Sequence, residues 1–260
     1  MSDPVGPATP WPVERVLTGS VADDQATELA FAQAMLRRTD AGLAQETVRI
    51  YRPTRNAVVF SRRDTRSPGF ARAVRAAREA GFQTAVRAVG GRAVAYTVDT
   101  VVVDHVAAET QAVLGQEHRF VTFGRMFVDA LRALGADARL GPVPGEYCPG
   151  AYSVNAGGET KLVGTAQRVL RASWLFSSLV VVDGEEVLRP VLGEVYRALE
   201  VPFEESSVGG LASEVPRLGV GTVADTLRSL FRGLEQEARS DLATRARADE
   251  LIDQHRVDPG

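Results

Sequence analysis

Apolar residues recur at helical spacing over 23–38 (DDQATELAFAQAMLRR), where Leu29, Ala30, Ala32 and Leu36 fall near one face. Acids stand early and arginines late there, as the helix dipole favours. The stretch 67–81 (SPGFARAVRAAREAG) opens on Ser-Pro and stops at glycine; it predicts a helix with Phe70, Val74 and Ala77 inward and a solvated arginine face outward. A third helix is predicted over 118–136, with Phe123, Phe127, Ala130, Leu131 and Leu134 apolar and Gly135 ending it. Helical periodicity returns at 186–200 and across 223–255.

Between these lie runs with strand character. TVRIYRP (47–53) and NAVVFSR (56–62), separated by a Pro-containing turn, predict neighbouring strands. FQTAVRA, the turn GGR, AVAYTV and TVVVDHV predict a strand, turn and strand sequence. AYSVNA, the turn GGET, KLVGTAQRVLR and SWLFSSLVVVDG predict three antiparallel strands. Several of these turns are too short for parallel crossovers, so the pattern predicts an α+β chain (α/β with a mixed sheet) carrying flanking helices. A second, smaller sheet is expected near 150–183, packed on the first. Residues 1–20, rich in Pro, Gly and Thr, predict an irregular N-terminal arm; 21–210 form the main domain and 211–260 a helical C-terminal extension.

Composition narrows the chemistry. The chain has 260 residues, 45% hydrophobic and 24% charged, which suits a globular fold and excludes disorder or a disulfide scaffold. One cysteine, Cys148, cannot form an internal disulfide or a multi-thiolate zinc site, and His105, His118 and His255 make no ligand pair at helical spacing, so no protein-built metal site is expected. A net charge of −3 supplies no global field for nucleic acid or an anionic membrane. No apolar run approaches the roughly 20 residues of a membrane span and no leader pattern opens the chain, which predicts a cytoplasmic protein.

Of the 30 basic residues, 29 are arginine; the single lysine is Lys161. A site that needs one compact cation in a narrow pocket cannot exchange lysine for arginine's wide fork, although one exposed lysine can also survive by chance. Two glycine turns carry the remaining candidates. Gly90 and Gly91, between Arg87 and Arg92, allow a ligand to approach backbone amides while the arginines offer donors to an oxyanion or phosphate. The same residues also read as plain hairpin chemistry, and they form neither a Walker loop nor a dinucleotide fingerprint. In the second constellation, a hairpin at Gly157-Gly158 sets Asn155 across from Lys161, with Gly164, Thr165 and Ala166 as a small-residue floor for a slender chain. A lysine at the mouth of such a slot could hold a carbonyl or phosphate oxygen. Ser153, Ser177 and Ser178 lack His/Asp partners in any triad order, and Asp99, Asp104 and His105 read as polarity at a strand edge.

RAVGGRAV followed by KLVGTAQR, with YRPTRNAVVFSRRD before them, resembles the paired signature of the lipoate-protein ligase and octanoyltransferase family, related to biotin-protein ligases. The resemblance covers about residues 24 to 210. It implies a biotin/lipoate-protein ligase-like catalytic domain with a large mixed sheet, a smaller sheet and flanking helices. It further implies a lipoyl or octanoyl chain held in a tunnel and delivered to a lysine of an acceptor lipoyl domain, such as that of a 2-oxoacid dehydrogenase or the glycine cleavage H protein. On this likeness Arg87, Gly90, Gly91 and Arg92 match the phosphate-binding turn, Lys161 the lysine on the acyl carbonyl or acyl-phosphate, and Gly164, Thr165 and Ala166 the chain-lining segment.

Three mechanisms follow from the resemblance. The leading one is a ligase that activates lipoate or octanoate with ATP and Mg2+ as an acyl-adenylate. The second is an ATP-independent transferase, needing no cofactor, that takes octanoate from acyl carrier protein through Cys148; a thiol beside cations is acidified and nucleophilic, whereas the plainer reading is a loop cysteine that only packs. The third is a non-catalytic binder of an acyl chain or lipoyl domain, favoured by Val86 and Tyr96, which stand where the family pattern has arginine and histidine.

Overall fold

The computed structural model describes residues 10–257. Its elements are β1 (Trp11–Thr18), α1 (Gln25–Asp40), β2 (Thr47–Tyr51), β3 (Ala57–Ser61), α2 (Phe70–Glu79), β4 (Gln83–Arg87), β5 (Val94–Tyr96), β6 (Thr100–Ala108), α3 (Gln116–Ala133), β7 (Ala138–Leu140), β8 (Val154–Ala156), β9 (Thr160–Val169), β10 (Ser173–Val181), α4 (Glu185–Leu199), α5 (Leu211–Glu214), α6 (Val220–Ser229), β11 (Phe231–Glu237) and α7 (Leu242–Asp249). Eight strands form one mixed sheet in the order β11-β1-β2-β6-β10-β9-β8-β7, and three form a second in the order β4-β3-β5. The mixed α+β architecture is thus as the sequence predicts. None of the helices among the described residues is long and apolar enough to cross a membrane.

The partition of strands differs from expectation. β2 and β3 do not pair: β2 lies between β1 and β6, whereas β3 lies between β4 and β5. Both are buried along their whole length, so each needs a ladder on both sides and a covered pair of faces. The run 150–183 builds the large sheet through β8, β9 and β10, antiparallel as predicted, and the small sheet comes instead from β3, β4 and β5. Asp104 and His105 sit on β6, an interior strand and not an edge. Asp104 lies opposite Arg49 and Ser177, while His105 Nε2 is 2.7 Å from Glu46 Oε1.

Two terminal segments also depart from their predicted form. Trp11–Thr18 is a strand, parallel to both β2 and β11, so this part of the arm is regular. The stretch 223–255 is not one helix: α6 ends at Ser229, Phe231–Glu237 forms the edge strand β11, and α7 follows. The spacing of Phe231 and Leu234 is helical and puts them on opposite faces of a strand, only Phe231 being buried; the open edge of β1 supplies the ladder that selects a strand over the local period. The end of the chain returns to the small sheet, where His255 O accepts from Val86 N and Arg256 bridges Ala85.

α3 and α6 cover one face of the large sheet, forming a core with Phe123, Phe127, Leu131, Val223 and Leu227. α1 is held between the other face, the small sheet and α7, which is why it buries more of its circumference than a single stripe predicts. Within that layer Glu28 pairs with Arg49, whose guanidinium is 0% exposed and lies 4.0 Å from the centre of the Tyr51 ring. Glu28 also accepts from the backbone of Val21 and Ala22, so the pair stitches the start of α1 to β2.

Removing one member of such a pair strands a buried charge. Glu28→Ala should cost about 3–5 kcal/mol in denaturant unfolding, and Glu28→Leu with Arg49→Met should recover most of it. A second expected outcome concerns acid. Burial is the largest influence on His255 and lowers its pKa to about 4, only partly opposed by its bond to Val86 O. The unfolded chain therefore takes up this proton first, and the associated stability, complete above pH ~6.5, is lost as pH falls toward about 4. His255→Gln should flatten that limb of a stability-versus-pH curve.

Candidate active site

The two sheets converge on one residue. Cys148 lies in the loop between β7 and β8, with φ of 45° in the left-handed region that a side chain disfavours. Both of its backbone polar groups are tied. Its N–H donates to Tyr196 Oη at 2.6 Å, and that hydroxyl donates onward to Ala93 O at 2.9 Å. Its carbonyl accepts from Lys161 Nζ at 3.0 Å. Tyr196 comes from α4 and Lys161 from β9, so the strained residue is clamped from opposite sides.

The thiol points at the Gly-Gly turn. Sγ accepts from the Arg92 N–H at 3.2 Å and from Arg87 Nη2 at 3.3 Å. Arg87 Nη2 also donates to Arg92 O at 2.8 Å, which fixes its fork. Gly91 has φ of 103°, and a Cβ there would lie 2.5 Å from Sγ and 2.7 Å from the Arg87 fork, so only glycine permits this approach. Burial pushes the Cys148 thiol up, but Arg87, Lys161 and the Arg92 amide together outweigh it and hold the group below the ordinary thiol value. The thiolate in turn raises Arg87, against the effect of burial.

Lys161 is 2% exposed, and its three protons find three oxygens: Tyr147 O at 3.0 Å, Cys148 O at 3.0 Å and Glu146 Oε2 at 2.8 Å. Glu146 is equally buried. It also accepts from Ser153 Oγ at 2.6 Å and from the backbone of Val143 and Gly150. Lys161 lines the cleft beside Cys148, as expected of a lysine at a slot, while its ammonium is bonded to the cysteine loop.

A cleft of about 380 Å3 opens beside the thiol, lined by Gly90, Gly91, Phe120, Tyr152, Thr165 and Ala166 among others. Thr165 and Ala166 thus form floor as predicted, while Gly164 lies behind them, its α-carbon face against Lys161 Cε. Asn155 stands across from Lys161 in the ladder as predicted, but its side chain braces the hairpin by donating to Gly141 O and accepting from Gly158 N. Arg92 is paired to Asp64, itself held by Ser61. The arrangement brings Cys148, Arg87, Gly91, Lys161, Thr165 and Ala166 together and leaves Asn155 apart.

Sequence reasoning did not find Glu146 or Tyr196. Glu146 is two residues before Cys148, an acid inside an otherwise apolar and glycine-rich loop, and that contrast is its one local signal. Tyr196 reads as one more apolar position of α4; nothing local marks its hydroxyl.

Comparison with known proteins gives a consistent picture. A family model described as lipoyl protein ligase A/B catalytic domain matches residues 24–232. An octanoyl-[GcvH]:protein N-octanoyltransferase of Geobacillus kaustophilus is 27% identical over 169 residues, 65% of this chain and 59% of the relative. That of Anoxybacillus flavithermus is 26% identical over 161 residues, 62% and 57% of the two chains. The matched stretch thus spans less than two thirds of either relative. Among solved structures, a bi-partite lipoate protein ligase from Thermoplasma acidophilum superposes with a TM-score of 0.69 at 19% identity, covering 94% of this chain and 93% of its own. P. falciparum LipL1 in complex with lipoate superposes with a TM-score of 0.67 at 10% identity, covering 93% and 71%. These two likenesses establish the fold.

The thiol's electrostatics are directly measurable. Alkylation of Cys148 by iodoacetamide should reach half its limiting rate below the ~8.5 of a free thiol. Arg87→Met removes a cation that lowers the value, so its midpoint should move up. A midpoint at or above the free-thiol value in the unaltered protein would mean that burial wins.

Proposed function

Since the chain belongs to the lipoyl protein ligase A/B catalytic domain family, we propose that it is an acyltransferase that carries an octanoyl or lipoyl group on Cys148 as a thioester and passes it to a lysine of an acceptor lipoyl domain. The observation that carries this reading is the Cys148 thiol itself, bordering a slender cleft and receiving hydrogen bonds from the Arg92 N–H and the Arg87 guanidinium. The names of the two sequence relatives, octanoyltransferases acting on GcvH, support it.

In the first half-reaction the thiolate attacks the acyl carbonyl of the donor, a C–S bond forms, the donor's own C–S or C–N bond breaks, and the departing sulfur or nitrogen takes a proton from solvent. In the second, the neutral acceptor amine attacks the thioester carbonyl, a C–N bond forms, the C–S bond breaks, and the surplus amine proton goes to solvent. Arg87 and the Arg92 amide serve both halves: they hold the thiolate before attack and receive it again as the leaving group. Because these donors are already set, little reorganisation accompanies the reaction. Thr165 and Ala166 leave width for the acyl chain, and each buried methylene adds about 0.8 kcal/mol to binding. Lys161 acts through Cys148, as a positioning residue that holds the carbonyl of the nucleophile and adds positive potential behind the thiol.

Of the two cations of the turn, Arg87 is committed to Cys148 and Arg92 O, and Arg92 is paired to Asp64 through Nη1. The acyltransfer reading involves no adenylate.

The test is intact-protein mass after incubation with octanoylated H protein and no nucleotide. One octanoyl unit should appear on the protein, be absent in Cys148→Ser, and be discharged by an unmodified lipoyl domain. Transfer that requires ATP and persists in Cys148→Ser would overturn the reading. Lys161→Ala strands the Glu146 carboxylate and should cost about 3–5 kcal/mol of stability. Lys161→Met with Glu146→Gln should regain most of that stability while loading of Cys148 stays depressed, which separates positioning from folding.

A further inference from the structure

Four arginines beside the cysteine cleft have no role in the chemistry above. A groove of about 680 Å3 shares Gly90, Gly91, Gln116, Pro149 and Gln167 with the cleft, so the two are continuous, and Arg62, Arg63 and Arg168 stand in its wall. A neighbouring hollow of about 220 Å3 shares Arg62 and Arg168 and adds Arg37. Neither lining contains an aspartate or glutamate. All four arginines are exposed, and none of their side chains makes an ion pair or hydrogen bond with the described residues. Elsewhere on the surface, arginines such as Arg52, Arg72, Arg139 and Arg197 face Asp99, Glu200, Asp137 and Glu194. In a chain whose acids outnumber its bases, 33 to 30, a cationic hollow with no carboxylate in its walls is a local departure from the average surface.

An apolar feature adjoins it. Val113 and Leu114, in the loop between β6 and α3, are 64% and 78% exposed, and Val113 lines the groove. An apolar contact rimmed by unneutralised charge is the anatomy of a protein interface. The cations come from the end of α1, the segment after β3, and β9; Arg62, Arg63 and Arg168 line the groove that Val113 also lines, and Arg37 joins Arg62 and Arg168 in the hollow beside it, so charge and apolar contact lie on one continuous face.

We propose that this groove is the docking surface for the acyl-bearing protein partner, a folded domain with acidic residues around its modified lysine and an apolar spot that meets Val113 and Leu114. The inference rests on the acyltransfer reading and adds how the macromolecular substrate is recognised. Arginine–carboxylate complementarity would steer encounter and orient the acyl-lysine toward Cys148, with an attraction that salt screens.

The experiment uses the full chain with Arg62→Glu, Arg63→Glu and Arg168→Glu combined. Loading of Cys148 from p-nitrophenyl octanoate, a donor with no protein part, should stay within about twofold of the unaltered protein, since none of the three touches the thiol. Transfer from octanoylated H protein should show KM raised by about tenfold or more with kcat little changed. KM of the unaltered protein should rise with salt, whereas that of the triple variant should be nearly flat. Calorimetric binding of octanoylated H protein at low and high salt should show the same loss of affinity without any dependence on turnover. Unchanged binding and unchanged salt dependence in the variant would overturn the proposal, as would ATP binding to the unaltered protein at micromolar concentration that the variant abolishes. If Cys148 loads from neither donor while H protein still binds in a salt- and arginine-dependent way, the acyltransfer reading fails and the docking surface stands.

Discussion

A cysteine in a left-handed backbone conformation can persist only if its surroundings over-determine it, and here that is done by a buried lysine and a buried tyrosine acting on the two ends of one residue. Such a conformation costs on the order of 1–3 kcal/mol, comparable to what a few well-placed hydrogen bonds return. The lysine can be buried because Glu146 neutralises it and two backbone carbonyls complete its hydrogen bonds; without them the desolvation of an ammonium would be prohibitive. Glu146 is itself fully engaged by Ser153 and two backbone amides, so the charge pair is embedded in a network with no loose end on either partner.

This clamp explains the division of labour between the two sheets. The small sheet delivers the donors that face the thiol, Arg87 at the end of β4 and the Arg92 amide just before β5. The large sheet delivers Lys161 and the floor, through the long hairpin of β9 and β10. The cysteine loop spans the gap, and α4, packed on the small sheet and on α2, reaches across with Tyr196. Approach of the two sheets is therefore what assembles the site, and Gly91 marks the point where they come too close for any side chain.

Much of this is readable along the chain where it depends on near neighbours. The Gly157-Gly158 turn, the facing of Asn155 and Lys161, and the small residues at 165 and 166 follow from alternation and turn chemistry within a dozen residues; the Gly90-Gly91 bend does not, since it joins β4 and β5 across the intervening β3 and closes no hairpin. The inward and outward faces of α2 are likewise legible, with Ala73, Val74 and Ala77 buried and the arginines outside. What is not legible needs remote partners: β1 and β11 exist as strands because each offers the other an edge, and β2 and β3 separate because each is claimed by different neighbours. Lys161 stands out by its rarity, yet its amine faces the cysteine loop, since the carbonyls that hold it belong to residues 13 and 14 positions earlier.

The amino-acid order alone therefore determined most of the helices and strands, the glycine bends, and the presence of one thiol and one compact cation in neighbouring segments, because periodicity and composition act over a few bonds. Tertiary structure decided which group each of these meets: that the thiol faces Arg87, that the lysine backs the loop, and that a tyrosine from α4 closes the brace. Hydrogen bonds and charge pairs between distant segments leave no periodic trace in the chain; they arise only when packing of the two sheets brings donor and acceptor within about 3 Å.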